Sequence, residues 1–255
     1  MDYYTQIFKR KSFHIFKDTD TLTGDEIKEL KDFIKTVKPL NAEIKTEICI
    51  VPEKTTTCNR GGEFCILFYS ETKDEYLRNI GYMGEQIDLY LASQNIGALW
   101  FGIGKPKDMQ VNGLDYVIMI SIAKMPADKF RKDMFKSKRK PTSEIWNGNT
   151  LGIAEIVRFT PSACNTQPWI VENTGCDLMV YRFKKPGKRG ISTTEQPTPS
   201  APQKQDNGSS KQTNIYNLIQ LIVRNGEQIV YEEDTICLRA GEYIINELRK
   251  GRLLG

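Results

Sequence analysis

An α+β fold is what this sequence predicts, on three observations. Segments with apolar residues at helical spacing alternate unevenly with short runs of β-branched and aromatic residues. Of the 255 residues, 39% are hydrophobic and 27% charged, the balance of a globular chain able to bury a core of its own. One order of features occurs twice: a basic segment, a helix, a turn with proline and asparagine, then two strands.

Taken in chain order, residues 25–37 place Ile27, Leu30, Phe33, Ile34 and Val37 on one helix face, with Thr23 as the N-cap. Strands are predicted over Glu47–Val51 and Phe64–Ser70. Across 75–96, Tyr76, Leu77, Ile80, Met83, Ile87, Leu91 and Ile96 recur at helical spacing. Gly81 and Gly84 in that run let a neighbour approach closely, and Gly97 reads as the stop. Ala98–Ile103 and Tyr116–Ala123 follow as buried strands. Beyond the basic stretch Lys129 to Lys140, the pattern predicts a helix over Thr150–Arg158, a turn over Thr160–Pro168, and strands over Ile170–Glu172 and Leu178–Phe183. Residues 192–214 hold one alanine as their only apolar residue, too little to offset the entropy of ordering, and read as a flexible linker. Ile215–Val223 is then a helix candidate, Gln228–Tyr231 and Thr235–Leu238 are short strands, and Gly241–Lys250 is a last amphipathic helix.

The repeat rests on Phe8-Lys9-Arg10-Lys11-Ser12, which recurs as Phe135-Lys136-Ser137-Lys138-Arg139-Lys140-Pro141. The paired turns are Pro39-Leu40-Asn41 and Pro161 to Asn165. The expected organisation is a first half over 1–128, the start of a second over 129–191, the linker 192–214, and a C-terminal segment 215–255. That segment completes the second half only if Ile215–Val223 stands in for a twin of helix 75–96.

Several function classes are set aside. No apolar run approaches the roughly 20 residues that span a bilayer. Met1-Asp2-Tyr3-Tyr4 lacks the basic-then-apolar start of a secretory signal, so a cytoplasmic protein is expected. A net charge of +4 does not by itself imply nucleic acid. Six cysteines without a CxxC spacing, beside the single His14, argue for reduced thiols rather than a zinc site. His14, between Phe13 and Ile15, reads as a packing or surface imidazole, and Cys164 as a small packing residue.

Four constellations could carry chemistry. Arg10-Lys11-Ser12 offers two cations and a hydroxyl to a phosphate or a polar ring edge, though alone it reads as a solvated basic turn. Pro161 to Trp169 holds Ser162, Asn165 and Gln167 between prolines. Their amides donate and accept at once, matching a heteroaromatic edge, or they satisfy backbone groups of the turn. Gly97 to Gly104 is a glycine-rich strand end where backbone N–H groups could approach a flat ligand, with Trp100 and Phe101 as apolar wall. The basic stretch Lys129 to Lys140 is a solvated face, or supplies one or two cations to a phosphate.

Together and in this order, these pieces resemble the nitroreductase family of FMN-dependent oxidoreductases. The resemblance rests on Arg10-Lys11-Ser12, the turn at 161–169, the helix and glycine-rich strand at 82–104, and Lys138-Arg139-Lys140-Pro141. It is narrowest to the branch in which one chain contains two family-like halves, and it covers residues 1–191. It implies a three-layer sandwich, internally duplicated, with a second half that is atypical or incomplete. It also implies one FMN in the cleft between the halves. Arg10, Lys11 and Ser12 would contact phosphate, ribityl chain and ring edge. Ser162 and Asn165 would reach the flavin from the other half, with Gln167 nearby. Gly102 and Ile103 would lie behind the ring, and Lys138 and Arg139 would hold the phosphate. The implied activity passes hydride from NAD(P)H through the flavin to a nitroaromatic or quinone-like acceptor, in a ping-pong scheme needing no protein nucleophile. The protein would be a monomer or a weak homodimer, without nucleic-acid or membrane partners. Pro39-Leu40-Asn41 in place of the full turn motif, and Pro141 in place of Ser12's counterpart, make the second pseudo-site degenerate. The rival readings are an FMN-binding protein without turnover and a basic interaction module built on Lys129 to Lys140.

Overall fold

The computed structural model describes residues 3–132, 137–150, 154–162, 165–173, 177–182, 229–232 and 235–239. The chain divides into two compact units, residues 1–137 and 138–255. The expected linker 192–214 and the helices expected over Ile215–Val223 and Gly241–Lys250 lie outside the described residues.

The first unit runs α1 (Tyr3–Lys9), α2 (Gly24–Thr36), β1 (Thr46–Pro52), β2 (Phe64–Ser70), α3 (Tyr76–Ser93), β3 (Ile96–Trp100), β4 (Gln110–Val111) and β5 (Leu114–Lys124). Its antiparallel sheet has the order β1-β2-β5-β3, with β4 also paired to β5. Successive side chains of a strand face opposite ways, and both faces of this sheet are buried. Ile66 and Phe68 of β2 join Ile118, Ile120 and Ile122 of β5 under Leu30 of α2 and Ile80, Ile87 and Leu91 of α3. Cys65, Leu67 and Tyr69 face the other way, against Met119, Phe13, Phe16 and Phe101. Helices thus cover one face and irregular segments cover the other.

The start of α2 follows from its capping residues. Thr23 accepts from the Glu26 N–H at 3.2 Å, and the Glu26 carboxylate accepts from the Thr23 N–H at 2.9 Å, a reciprocal capping box. Glu26 is also paired with Lys124 at the end of β5. The Lys124 ammonium, and then the Thr23 N–H, hold the Glu26 carboxyl below the usual carboxylate range. Its contribution to stability is therefore complete above an unfolded pKa of about 4.3 and is lost as pH falls through the lower folded value. Thr23→Ala is expected to cost about 1 kcal/mol in denaturant unfolding. Glu26→Gln is expected to flatten the acid limb of the stability–pH curve. An unchanged acid limb would show that the pair does not couple to folding.

α3 is buried along nearly its whole length, including the polar Asn79, Glu85, Gln86 and Asp88. The predicted close approach is real at Gly84, where an added Cβ would run into the Trp100 indole. The predicted stop at Gly97 is not. The helix ends at Ser93, the chain turns at Asn95, a left-handed residue with φ of 55°, and Gly97 already lies within β3. Asparagine enters the left-handed region several-fold more readily than most residues, and the sequence reading reserved it for glycine. As a result β3 occupies Ile96–Trp100, and Gly102 and Ile103 fall on the turn beyond it rather than on the strand.

The second unit runs α4 (Thr142–Ile145), β6 (Trp146–Asn147), α5 (Ala154–Arg158), β7 (Trp169–Asn173), β8 (Asp177–Arg182), β9 (Ile229–Glu232) and β10 (Thr235–Arg239). Its sheet order is β6-β7-β8-β10-β9, parallel only between β6 and β7. Leaving out the two-residue strands β4 and β6, each sheet pairs its first strand with its second, its second with its fourth and its fourth with its third, all antiparallel.

Candidate functional site

In the first unit the segment after α1 runs beside β3. Ser12 forms a parallel bridge with Ala98, and the Phe13 N–H donates to the Ala98 carbonyl at 3.0 Å. Arg10 turns inward. It is 5% exposed, and its Nε donates to Asp88 of α3 at 2.6 Å. The Trp100 indole N–H donates to the same Asp88 oxygen at 2.8 Å, so Trp100 is a hydrogen-bonded part of the core and not simply apolar wall. Asp88 and Glu85 hold Arg10 firmly protonated in spite of its burial.

Lys11 remains half-exposed, its ammonium 4.6 Å from the centre of the Phe13 ring. Burial first, then the like charges of Arg131 and Lys129, lower its pKa. Arg131 is lowered in turn by burial and by Arg10. Lys11 thus lies close enough to Lys129 and Arg131 to feel their like charges, which an anionic group beside it would relieve. The Arg131 N–H donates to the Lys9 carbonyl at 3.1 Å, which ties the basic stretch back to the end of α1. His14 is exposed. At the end of β3, Gly102 is exposed and Ile103 is 68% exposed, the most solvent-accessible of the large apolar side chains described.

In the second unit the structure gathers five predicted residues from two separate segments. Arg139 Nη1 donates to the Thr160 carbonyl at 2.7 Å and to Asn165 Oδ1 at 2.9 Å. Asn165 Nδ2 donates to the Lys138 carbonyl at 3.0 Å. Gln167 is 3% exposed; its Oε1 accepts from the Lys140 N–H at 2.8 Å and its Nε2 donates to the carbonyls of Lys138 and Asn165. The Gln167 N–H donates to Ser162 Oγ at 3.0 Å, and the Asn165 N–H to the Ser162 carbonyl at 3.0 Å. The Gln167 amide and Asn165 Nδ2 therefore serve backbone groups, one of the two readings the sequence left open, while Asn165 Oδ1 holds the Arg139 guanidinium, and what the amides shape is the Lys138–Lys140 segment. Lys138, Asn165 and Gln167 all have φ between 46° and 54°. Left-handed backbone at two such bulky residues as Lys and Gln is costly, and strain of this kind concentrates at functional sites.

The family model described as "Putative TM nitroreductase" matches residues 2–191. The chain belongs to this nitroreductase family. A solved structure of that description, from Thermotoga maritima, is 21% identical, covers 94% of each chain and superposes with a TM-score of 0.57, which places the fold of this nitroreductase-family chain. A nitroreductase-fold protein from Desulfovibrio desulfuricans, solved in complex with FMN, matches with 14% identity over 56% of this chain and 94% of its own, at a TM-score of 0.43. None of the curated proteins matches the chain. Among the described residues no helix is long and apolar enough to cross a membrane.

Sequence reasoning had the basic stretch but not its meeting with Lys11, and it missed Asp88 and Glu85 altogether. A carboxylate among the apolar residues of a helix is the available signal. Asp88 lies four residues after Gly84, on the same helix face, where the Trp100 ring packs.

Proposed function

We propose that the chain is an FMN-dependent oxidoreductase that takes reducing equivalents from NAD(P)H and passes them to a nitroaromatic or quinone-like acceptor. Membership of the nitroreductase family carries this reading. Bound FMN would supply the redox chemistry, and the protein supplies binding, orientation and charge. The like charges of Lys11, Lys129 and Arg131 suit a phosphate, and the exposed Gly102–Ile103 turn offers open backbone and apolar surface to a flat ring.

Within this proposal the residues divide by task. Lys11 and Ser12 face the ligand, as do Gly102 and Ile103. In the second unit, taken by itself, Lys138 and Arg139 offer cations to a phosphate, and Ser162 anchors the turn that bears Asn165. Arg10, engaged with Asp88, is a positioning residue that fixes the segment carrying Lys11 and Ser12. Asn165 and Gln167 are positioning residues for Lys138 and Arg139. The shared strand order of the two sheets supports an internal duplication.

The test starts with the absorbance spectrum of the purified protein, which is expected to show bound flavin. Lys11→Ala and Asn165→Ala are each expected to weaken FMN binding about tenfold, the loss of roughly one charge-assisted hydrogen bond. Consumption of NAD(P)H in the presence of a quinone separates an enzyme from a binding protein. A chain that is purified without flavin, and takes up none when FMN is added, ends the proposal.

A further inference from the structure

Between β1 and β2 the chain makes a loop around a buried carboxylate. Glu53, 6% exposed, accepts at Oε1 from the N–H groups of Arg60 (3.2 Å) and Gly61 (2.9 Å). At Oε2 it accepts from the Gly62 N–H (3.0 Å) and the Ser121 hydroxyl. Only glycine suits position 62, since a Cβ there would collide with Ser121 Oγ and Glu53 Oε2. Beside this carboxylate stand two thiols: the sulfurs of Cys58 and Cys65 and a Glu53 oxygen all lie within 4.8 Å of one another.

Carboxylate and thiols in such proximity are a metal-ligand set by type. Here, however, two donors on each oxygen of Glu53 occupy its lone pairs, so binding a metal would forfeit hydrogen bonds that order the loop. Two adjacent thiols remain without a ligand role. They differ in access: Cys58 is 7% exposed and Cys65 is fully buried in β2. They also differ in acidity. The neighbouring Cys65 thiol lowers the Cys58 pKa, against burial and the Glu53 carboxylate, which raise it, while Cys58 and burial push Cys65 up. Thr56 Oγ1, 3.7 Å from Cys65 Sγ, accepts from the Cys58 N–H at 3.0 Å and so fixes the loop residue over its partner.

We propose that Cys58 and Cys65 are an oxidation site, a thiol pair that a peroxide converts to an intramolecular disulfide. Cys58 as thiolate attacks one peroxide oxygen, the O–O bond breaks, the leaving hydroxide takes up the proton that the Cys58 thiol had released and departs as water, and Cys58 becomes a sulfenic acid. The Cys65 sulfur then displaces that oxygen, the S–S bond forms, and the Cys65 proton leaves in a second water. Two thiols are oxidised and one peroxide is reduced to two waters. The site is one residue from Thr57, whose N–H donates to the Lys105 carbonyl at 2.9 Å and whose Oγ1 accepts from the Lys105 N–H at 2.8 Å. A change at Cys58 therefore acts next to the bonds that hold Lys105, two residues beyond Ile103. The inference stands whether or not the chain binds FMN.

The full chain is reduced, freed of reductant, treated with hydrogen peroxide, blocked by alkylation and digested with trypsin. Cleavage after Lys54, Arg60 and Lys73 separates segments 55–60 and 61–73, one cysteine in each. The expected product is these two segments joined, with two thiols lost together and both regained on reduction. In Cys65→Ser, Cys58 is expected to stop at the sulfenic acid and react with a dimedone probe. In Cys58→Ser, Cys65 is expected to stay a thiol. Recovery of Cys58 as sulfinic or sulfonic acid, or its linkage to another cysteine, would overturn the assignment. So would a stoichiometric metal ion in the purified protein that Cys58→Ser releases.

Discussion

Asp88→Asn is expected to lower the stability of the first unit by about 3 kcal/mol or more, read as a fall in the denaturant midpoint with an unchanged slope. The Arg10 and Asp88 side chains are 6% and 1% exposed and meet at 2.6 Å. Removing the carboxylate charge leaves a buried guanidinium facing only Glu85, and it weakens the acceptor for the Trp100 indole. Losses of this kind reach about 3–5 kcal/mol because the remaining charge cannot return to water. Arg10→Met combined with Asp88→Leu removes both charges and is expected to recover much of the loss, less the cost of an unpaired indole N–H. Trp100 stacks on Phe68 with ring centroids 6.2 Å apart, so its fluorescence reports whether the core has shifted. If Asp88→Asn unfolds at the wild-type midpoint, the buried pair is not what holds the segment after α1, and Arg10 loses its positioning role.

The sequence disclosed what near neighbours decide. Thr23 and Glu26 mark the start of α2 because both partners of a capping box lie within one turn. β2 agreed with its predicted bounds, since the run of β-branched and aromatic residues along Phe64–Ser70 is local text. The family was legible because the turn at 161–169 and Lys138–Pro141 are local text. α1 and the two-residue strands β4 and β6 were missed, being too short to show a period. The pairings that define the candidate site were hidden for another reason. Arg10 and Asp88 are 78 residues apart, and nothing in either neighbourhood names the other. The same is true of Lys11 and the cations at 129 and 131. Asn165 and Gln167 were singled out correctly as unusual amides, but their partners, the backbone groups of residues 138–140, carry no sequence signature at all.

Glu53→Ala is expected to cost about 4 kcal/mol, the other large effect in the first unit. One side chain there satisfies three part-buried N–H groups and the buried Ser121 hydroxyl, and leaving a fully buried donor without an acceptor costs about 1–3 kcal/mol. Water entering the vacated space would restore part of the loss, which holds the total well below a simple sum. Glu53→Gln should fall between wild type and alanine: its amide oxygen keeps two donors, but its NH2 points two hydrogens at the other two. The difference from an ordinary core truncation is in where the damage appears. Residues 56–63 are tied to the sheet through Glu53, to Phe16 by the Arg60 carbonyl and to Lys105 by Thr57. Hydrogen exchange is therefore expected to rise at Arg60, Gly61 and Gly62 and to spread to Lys105, while α2 and its capping box remain protected. Uniform loss of protection across the unit would mean that Glu53 supports the core as a whole. Wild-type protection at 60–62 in Glu53→Ala would mean that the loop is ordered without its carboxylate.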